Sequence, residues 1–455
     1  LWLIGFVDLV LLLYDSFLIY TDVVQASGCW VTTSSGSKLL DLTSGIGVTS
    51  TGHSHPKVIE AIHNQANKII FAQQNILPAT EASMSLIRFL KGIMPTNLTR
   101  YFFCNSGSEA VDNAIKVARS YTGKPNIISM HGGYHGRTYG AMSITTSKTV
   151  YRQTFGPWPA GVSVAKYPYC LHCPTRKAAG GLDFSVAPCV PGVGSPYHER
   201  QCCGSPLDDL HNLLKTQSHP SETAAIIVEP ILGEGGFLVP PPGYLDELRK
   251  ICDQNNMLLI FDEVQCGVAR TGEWWGHQTV TKVQPDIMIF AKGIASGFPF
   301  AGLATRDDMY SKMSPGMMGG TYGGSALGCA AAVGTLEAIL EEDMMGNAKA
   351  RGKQFMSGLA KLSEKYPIAE IRGRGLMIAV EFDAQKSPQN VAQAVTQEAF
   401  DEDLIVITAG INQTIRLLPP LVISEDEVNF ALEGLDRTFK RIFNRGPAFF
   451  ALLEA

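Results

Sequence analysis

The chain has 455 residues, 45% of them apolar and 17% charged, with 45 glycines and 25 prolines. That make-up excludes disordered, collagen-like and disulfide-scaffold classes and leaves room for two or more sizeable cores. A net charge of −5, with no Lys/Arg-rich run, argues against nucleic acid as a partner.

Residues 1–20 are strongly apolar but carry Asp8 and Asp15, and no Lys or Arg precedes Lys38. They match neither a signal peptide with a basic start nor an uncharged membrane span, so no membrane association is expected. The initial Leu1 fits a fragment or a misread start. Short strands and a turn are expected over 29–42, then a helix opened by His55-Pro56 with Val58, Ile59 and Ile62 on one face, and a second helix over 79–91. From Arg100 onward, apolar strands alternate with helices: strands at 101–104, 126–129, 224–228, 258–262 and 286–290, helices from Ser108 and over 244–254. Near-continuous apolar strands separated by helices predict an α/β fold with a mostly parallel sheet covered on both faces. A long helix over 325–341 leads into another over 348–366. Strands at 376–382 and 414–417 with helices at 389–402 and 425–443 then suggest a smaller α+β domain.

Cys104, Cys252, Cys266 and Cys329 fall in core-like settings, which suggests a reducing compartment, cytoplasmic or mitochondrial, and no secretion. Cys170-Leu171-His172-Cys173, Cys189 and Cys202-Cys203 could be read as a zinc site or as incidental thiols in a surface insertion. Only one half has orthodox spacing, so no metal is assigned.

The chemistry concentrates at strand ends. Lys292 follows the apolar run Ile287-Met288-Ile289-Phe290, and Asp262 ends Leu258-Leu259-Ile260-Phe261. A lysine and an acid so placed suit pyridoxal phosphate: the lysine forms the Schiff base, and the acid keeps the ring nitrogen protonated so that the ring can withdraw electrons. Asn105-Ser106-Gly107-Ser108-Glu109 follows a strand and opens a helix, either as a phosphate cradle or as a plain cap. The glycine-rich loop Gly133-Tyr134-His135-Gly136-Arg137-Thr138 offers a ring, an imidazole and a guanidinium, while Glu229 and Glu234 close another core strand. Arg416 sits in an apolar strand, where a charge is costly unless paired or functional. Polar groups at the carboxyl ends of successive strands describe the crevice where α/β folds bind ligands.

With these motifs, together with Asp262-Glu263-Val264-Gln265, Arg270-Thr271-Gly272, Gly320-Thr321-Tyr322-Gly323-Gly324 and Arg372-Gly373-Arg374-Gly375-Leu376-Met377, the chain resembles the class III (subgroup II) aminotransferases, and among them the 4-aminobutyrate aminotransferases, over about residues 28–445. The resemblance implies the type I pyridoxal phosphate fold, with a seven-stranded-type sheet. It implies an N-terminal segment 1–55 joining the small domain, a large cofactor domain over 56–324 and a small domain over 325–455. It also implies a homodimer or dimer of dimers. Lys292 would hold the cofactor and shuttle the proton. Asp262 would pair with the ring nitrogen and Gln265 with the O3′ side, while Ser106, Gly107 and Ser108 would bind the phosphate. Tyr134 would stack on the ring beside His135, and Thr321 would reach the neighbouring subunit's phosphate. Ile46 and Arg137 would meet the substrate chain and its distal carboxylate, with Glu229 also on the substrate side. A movable Glu234–Arg416 bridge would let one site take an ω-amino acid and then a 2-oxo acid.

Two departures stand out. Cys104-Asn105-Ser106-Gly107 lacks the C-x-x-C of the animal enzymes, so no iron–sulfur cluster is expected, and Ser325-Ala326 replaces an asparagine-proline pair. The leading expectation is transamination of 4-aminobutyrate or a similar donor with 2-oxoglutarate. Ornithine, acetylornithine or β-alanine as donor, a racemase or epimerase on the same fold, and an inactive scaffolding relative are the alternatives.

Overall fold

In the computed structural model, which describes residues 22–77, 79–173 and 204–445, the apolar runs of the middle of the chain form one sheet. Three short strands come first: β1 (Val23–Ser27), β2 (Trp30–Thr33) and β3 (Lys38–Asp41). Seven more build the large sheet: β4 (Arg100–Cys104), β5 (Asn126–Met130), β6 (Val162–Ala165), β7 (Thr223–Val228), β8 (Leu258–Asp262), β9 (Ile287–Phe290) and β10 (Ala301–Thr305), in the order β4-β10-β9-β8-β7-β5-β6. All are parallel except β10, which runs antiparallel between β4 and β9. This is the mostly parallel α/β sheet that the strand pattern predicts, with the seven strands that the resemblance implies.

Every residue of β7, β8 and β9 is buried, as both-sided cover requires. Successive side chains point to opposite faces, so Ile226, Leu259, Phe261 and Met288 join one core while Ile227, Leu258, Ile260 and Ile287 join another. The second core is closed by the helix Gly107–Thr122, through Ala110, Val111, Ala114 and Ala118. The first is closed by the helices Tyr244–Gln254 and Ala326–Glu341. The latter packs against the helix Pro56–Ala66, and Gly334 allows it, since a Cβ there would lie 2.9 Å from Ala61 Cβ. This contact corrects one detail. Val58 is buried and Ile62 partly so, but Ile59 is 52% exposed, because residues 58, 61, 62 and 65 form the packed stripe and 59 belongs to the next one.

Strand β10 escapes the sequence reading because Ala301-Gly302-Leu303-Ala304-Thr305 is small rather than apolar. Gly302 is needed there: an added Cβ would stand 2.7 Å from the Phe290 ring and 2.9 Å from the Phe102 carbonyl. In the last third, β11 (Ile368–Arg374), β12 (Met377–Phe382), β14 (Ile407–Ala409) and β15 (Thr414–Leu417) make an antiparallel sheet in the order β11-β12-β15-β14, covered by the helices Met344–Ser363 and Glu425–Asn444. Strand β13 (Leu404–Ile405) instead pairs in parallel with β3, which ties the amino-terminal strands to this part of the chain. No helix among the described residues is long and apolar enough to cross a membrane.

Candidate active site

The carboxyl ends of the strands preceding Ser106, Tyr134, Glu229, Asp262 and Lys292 converge on one cavity of about 280 Å³. Its wall includes Asn105, Ser106, Gly107, Ser108, Tyr134, His135, Glu229, Glu234, Asp262, Gln265 and Lys292, brought together from across nearly two hundred residues of sequence. The helix Gly107–Thr122 starts here because Ser106 caps it: the Ser106 hydroxyl accepts from the Glu109 N–H, and the Glu109 carboxylate accepts from the Ser106 N–H. In its first turn the N–H groups of Gly107 and Ser108 have no acceptor within the helix, which opens that end to an anion. Ser108 is itself packed under the 133–138 loop, its Oγ accepting from the Arg137 N–H at 2.9 Å.

Asp262 Oδ2 meets His135 Nδ1 at 2.8 Å, both groups buried, and Oδ1 accepts from the Val264 N–H at 3.1 Å. Burial disfavours a charged His135, but the Asp262 hydrogen bond and charge, with Glu229 behind them, prevail and raise its pKa. Behind the aspartate, buried Glu263 accepts from the N–H groups of Gly276 and His277 at 2.8 Å each and meets His277 Nδ1 at 2.6 Å, anchoring the turn that presents Asp262 and Gln265.

Lys292 adopts φ 51°, a left-handed conformation that costs a non-glycine residue roughly 1 kcal/mol or more and is typical of functional positions. Burial lowers its pKa, and Arg416 adds to this, against the pull of Glu234, Glu229 and Asp262. A lysine more readily neutral is a better nucleophile and base.

Glu229 Oε1 accepts from the Tyr134 N–H at 2.9 Å and Oε2 from the Gly233 N–H at 2.8 Å, so one carboxyl fastens two loops. Burial, reinforced by the Asp262 charge and opposed by His135, pushes its pKa up to about 7. Glu234 and Arg416 are both buried and bonded through Arg416 Nη1 and Glu234 Oε1. Burial would raise the Glu234 pKa, yet the charge and hydrogen bond of Arg416 override it and hold the carboxyl ionised.

The glycines around Glu234 do not loosen its loop. The Gly233 N–H is held by Glu229, the Gly410 N–H donates to the Glu234 carbonyl at 2.7 Å, and Arg372 Nε donates to the Gly236 carbonyl at 2.8 Å. A Cβ on Gly235 would lie 2.4 Å from Leu232 Cδ2, so the glycines serve close packing, and any movement belongs to the Glu234 side chain.

Four expected residues stand outside the cavity wall: Arg416, buried against Glu234, and three that are exposed. Arg137 is exposed at its margin, with its Nε donating to the Tyr134 hydroxyl at 3.1 Å and its guanidinium 4.1 Å from the Tyr151 ring centre. Ile46 is 41% exposed in the turn Ser44–Gly47, where it holds φ 66°, unusual for a β-branched residue; nearby Val48 lines the cavity instead. Thr321 is exposed, away from the cavity of its own chain. Conversely, Val264, Ala291, Phe298, Pro299 and Phe300 complete the wall. Nothing in one sequence singles out such apolar positions, although Val264 lies inside a motif already noted. Among the described residues no His, Cys, Asp and Glu group is arranged for a metal; Cys189, Cys202 and Cys203 lie outside them.

A flat, anionic, pyridine-type cofactor fits this wall. The open helix start suits a phosphate, the Asp262 carboxylate suits a ring N–H, and the Gln265 side-chain oxygen is buried without a partner. Comparison with known proteins agrees. The family model "Aminotransferase class-III" matches residues 14–439. The chain is 33% identical to the 4-aminobutyrate aminotransferase GabT of Escherichia coli (91% of this chain, 92% of the relative) and 36% identical to an acetylornithine aminotransferase of Methanopyrus kandleri (91% and 92%). A solved ornithine aminotransferase from Toxoplasma gondii, with pyridoxal phosphate at partial occupancy, superposes with a TM-score of 0.79 at 28% identity, covering 96% of this chain and 94% of that one.

Proposed function

Since the chain belongs to the class-III aminotransferases and uses pyridoxal phosphate, we propose that it moves the amino group of an ω-amino acid, 4-aminobutyrate or one of similar length, to 2-oxoglutarate. The observation that carries this reading is the contrast between two arginines. Arg416 is masked by Glu234, which lines the cavity, whereas Arg137 at the margin has no acidic partner among the described residues. An enzyme that takes an ω-amino acid and then a dicarboxylic 2-oxo acid needs one carboxylate grip always open and a second that can be covered.

In this reading Ser106, Gly107 and Ser108 hold the cofactor phosphate, Asp262 the ring nitrogen, Gln265 the ring oxygen side, and Tyr134 with His135 one side of the ring. Once bound, pyridoxal phosphate supplies the electron sink that acidifies the substrate carbon. Lys292 holds the cofactor at its aldehyde carbon and later carries the proton on Nζ. Glu229 keeps the Tyr134 and Glu234 loops in register, and Ile46 borders the substrate chain. Arg137 grips the distal carboxylate in both halves of the cycle. Glu234 covers Arg416 while the donor, which has no α-carboxylate, is bound, and turns aside for 2-oxoglutarate.

A homodimer is part of this proposal. Ile70, Phe71, Ile76 and Leu77 are exposed on the single chain, and Phe71 lies 5.7 Å from the exposed Tyr322, one residue beyond Thr321. Such an apolar patch suits a subunit interface that would bring Thr321 to the neighbouring phosphate site.

The likeness to acetylornithine and ornithine enzymes supports a second donor class, a longer diamine-derived ω-amino acid. One experiment tests both: incubate the holoenzyme with 4-aminobutyrate, ornithine, N-acetylornithine or β-alanine, with and without 2-oxoglutarate, and measure glutamate. Glutamate formed fastest from 4-aminobutyrate and only with the oxo acid is expected. No glutamate from any donor, or inversion of a chiral amino acid without the oxo acid, overturns the proposal.

A further inference from the structure

Arg137 is held in an unusual way. Its backbone N–H is fixed by Ser108, its Nε donates to the Tyr134 hydroxyl, and its guanidinium lies 4.1 Å from the centre of the Tyr151 ring. The two terminal NH2 groups make no hydrogen bond or ion pair among the described residues. A carboxylate is the usual means of fixing an arginine, but it would also neutralise the fork. Aromatic faces orient the cation while leaving both terminal donors to an incoming anion.

Tyr151 is built for that task. It ends the short helical turn Thr149–Tyr151, is half-buried, and meets Tyr134 edge-on at 5.4 Å, so the two rings brace each other around the guanidinium. Its hydroxyl is within range of the charges of Glu234, Arg416 and Arg137. Burial, and the Glu234 charge after it, push that hydroxyl's pKa up to about 12, against the two arginines, so it stays neutral and adds no charge of its own.

We propose that Tyr151 is a positioning residue that sets specificity: its ring is the platform on which Arg137 is aimed at the distal carboxylate of the substrate. This rests on the reading of Arg137 given above. The ring face carries the function, so Tyr151→Phe should behave nearly as the wild type, within about twofold in KM and kcat, since the lost hydroxyl makes no hydrogen bond among the described residues. Tyr151→Leu should raise KM for 4-aminobutyrate about five- to thirty-fold, or about 1–2 kcal/mol by RT ln of the ratio, with kcat little changed. A merely structural tyrosine would lower the melting temperature and kcat without that split.

The test is steady-state kinetics on holoenzyme variants Tyr151→Phe, Tyr151→Leu and Arg137→Ala, with cofactor absorbance and melting temperature recorded for each. Tyr151→Met substitutes for the leucine variant if that one loses cofactor. A KM rise in Arg137→Ala and in the leucine variant, rescued by phenylalanine, supports the inference. A KM rise in Arg137→Ala with an unchanged KM in the leucine variant overturns the role of Tyr151 alone. An unchanged KM in Arg137→Ala overturns the role of Arg137 and that of Tyr151 with it.

Discussion

Replacing Glu234 by glutamine separates the two halves of the proposed cycle. The substitution keeps size and one acceptor oxygen but removes the charge that masks Arg416. Glu234 is 7% exposed and Arg416 4%, so solvent and salt screen the pair little. Breaking one side of such a buried pair leaves an uncompensated charge, at a cost of about 3–5 kcal/mol in stability. Among the described residues Arg416 Nε lacks a partner and Glu234 is the one acceptor of its guanidinium, so the freed cation will draw a substrate carboxylate. In the ω-amino half-reaction that carboxylate is the distal one, pulled away from Arg137. If about half of the lost pairing energy, roughly 1.5–2.5 kcal/mol, favours the wrong pose, the 4-aminobutyrate half slows about 12- to 70-fold. The 2-oxoglutarate half, which needs Arg416 uncovered, should change by less than about threefold, since no contact made in that half is lost. Rapid-mixing measurements of each half-reaction alone, followed through cofactor absorbance, decide the matter. Equal damage to both halves would reduce the pair to a structural salt bridge and refute the reasoning.

Lys292→Ala should abolish transamination while leaving a folded protein that binds pyridoxal phosphate without a covalent bond; more than trace turnover in purified protein would contradict its role as nucleophile and base. Charged substitutions in the apolar patch, such as Ile70→Asp or Leu77→Glu, should shift the sedimentation profile from dimer toward monomer and lower cofactor occupancy, because both side chains are exposed on the isolated chain. Glu381 is held near pKa 2 although burial opposes it, because His172 and Arg372 stabilise its charged form. A depressed carboxyl pKa contributes stability that is present above its unfolded value of 4.5 and is lost as pH falls toward 2. Denaturation midpoints should therefore fall less steeply between pH 5 and pH 3, by about 1–3 kcal/mol, in Glu381→Gln than in the wild type, and identical slopes would contradict it.

The large sheet was legible because its central strands are near-continuously apolar, and the site because polar residues interrupt the chain just where those strands end. What stayed hidden has physical causes. Strand β10 is built from small residues chosen to clear the Phe290 ring and the Phe102 carbonyl, a requirement set by neighbours rather than by pattern. His135 meets Asp262 across 127 residues, and no local signal encodes that pair; the Arg416–Glu234 pair, 182 residues apart, was legible only through the family resemblance. The glycines beside Glu234 permit backbone contact with Gly132 and Gly410, partners far away in sequence that no local pattern reveals. Ile46, Arg137, Thr321 and Arg416 carry the resemblance in sequence but sit outside the cavity wall, because a motif fixes residue type and not how the folded chain places the side chain.

The antiparallel strand β10 has a consequence beyond sheet order. It pairs on one side with β9, which delivers Lys292, and on the other with β4, which delivers the helix start at Ser106; Gly302 is opposite both Phe290 and Phe103. Inside the sheet β4 and β9 stand two strand spacings apart, yet beyond their ends the chain converges: a Cβ on Gly107 would lie 3.6 Å from Ala291 Cβ, so the helix start touches the residue before Lys292. Backbone hydrogen bonds from one strand thus hold both arms of the site. The anion socket and the amine share a single rigid frame, and neither can shift without straining the other.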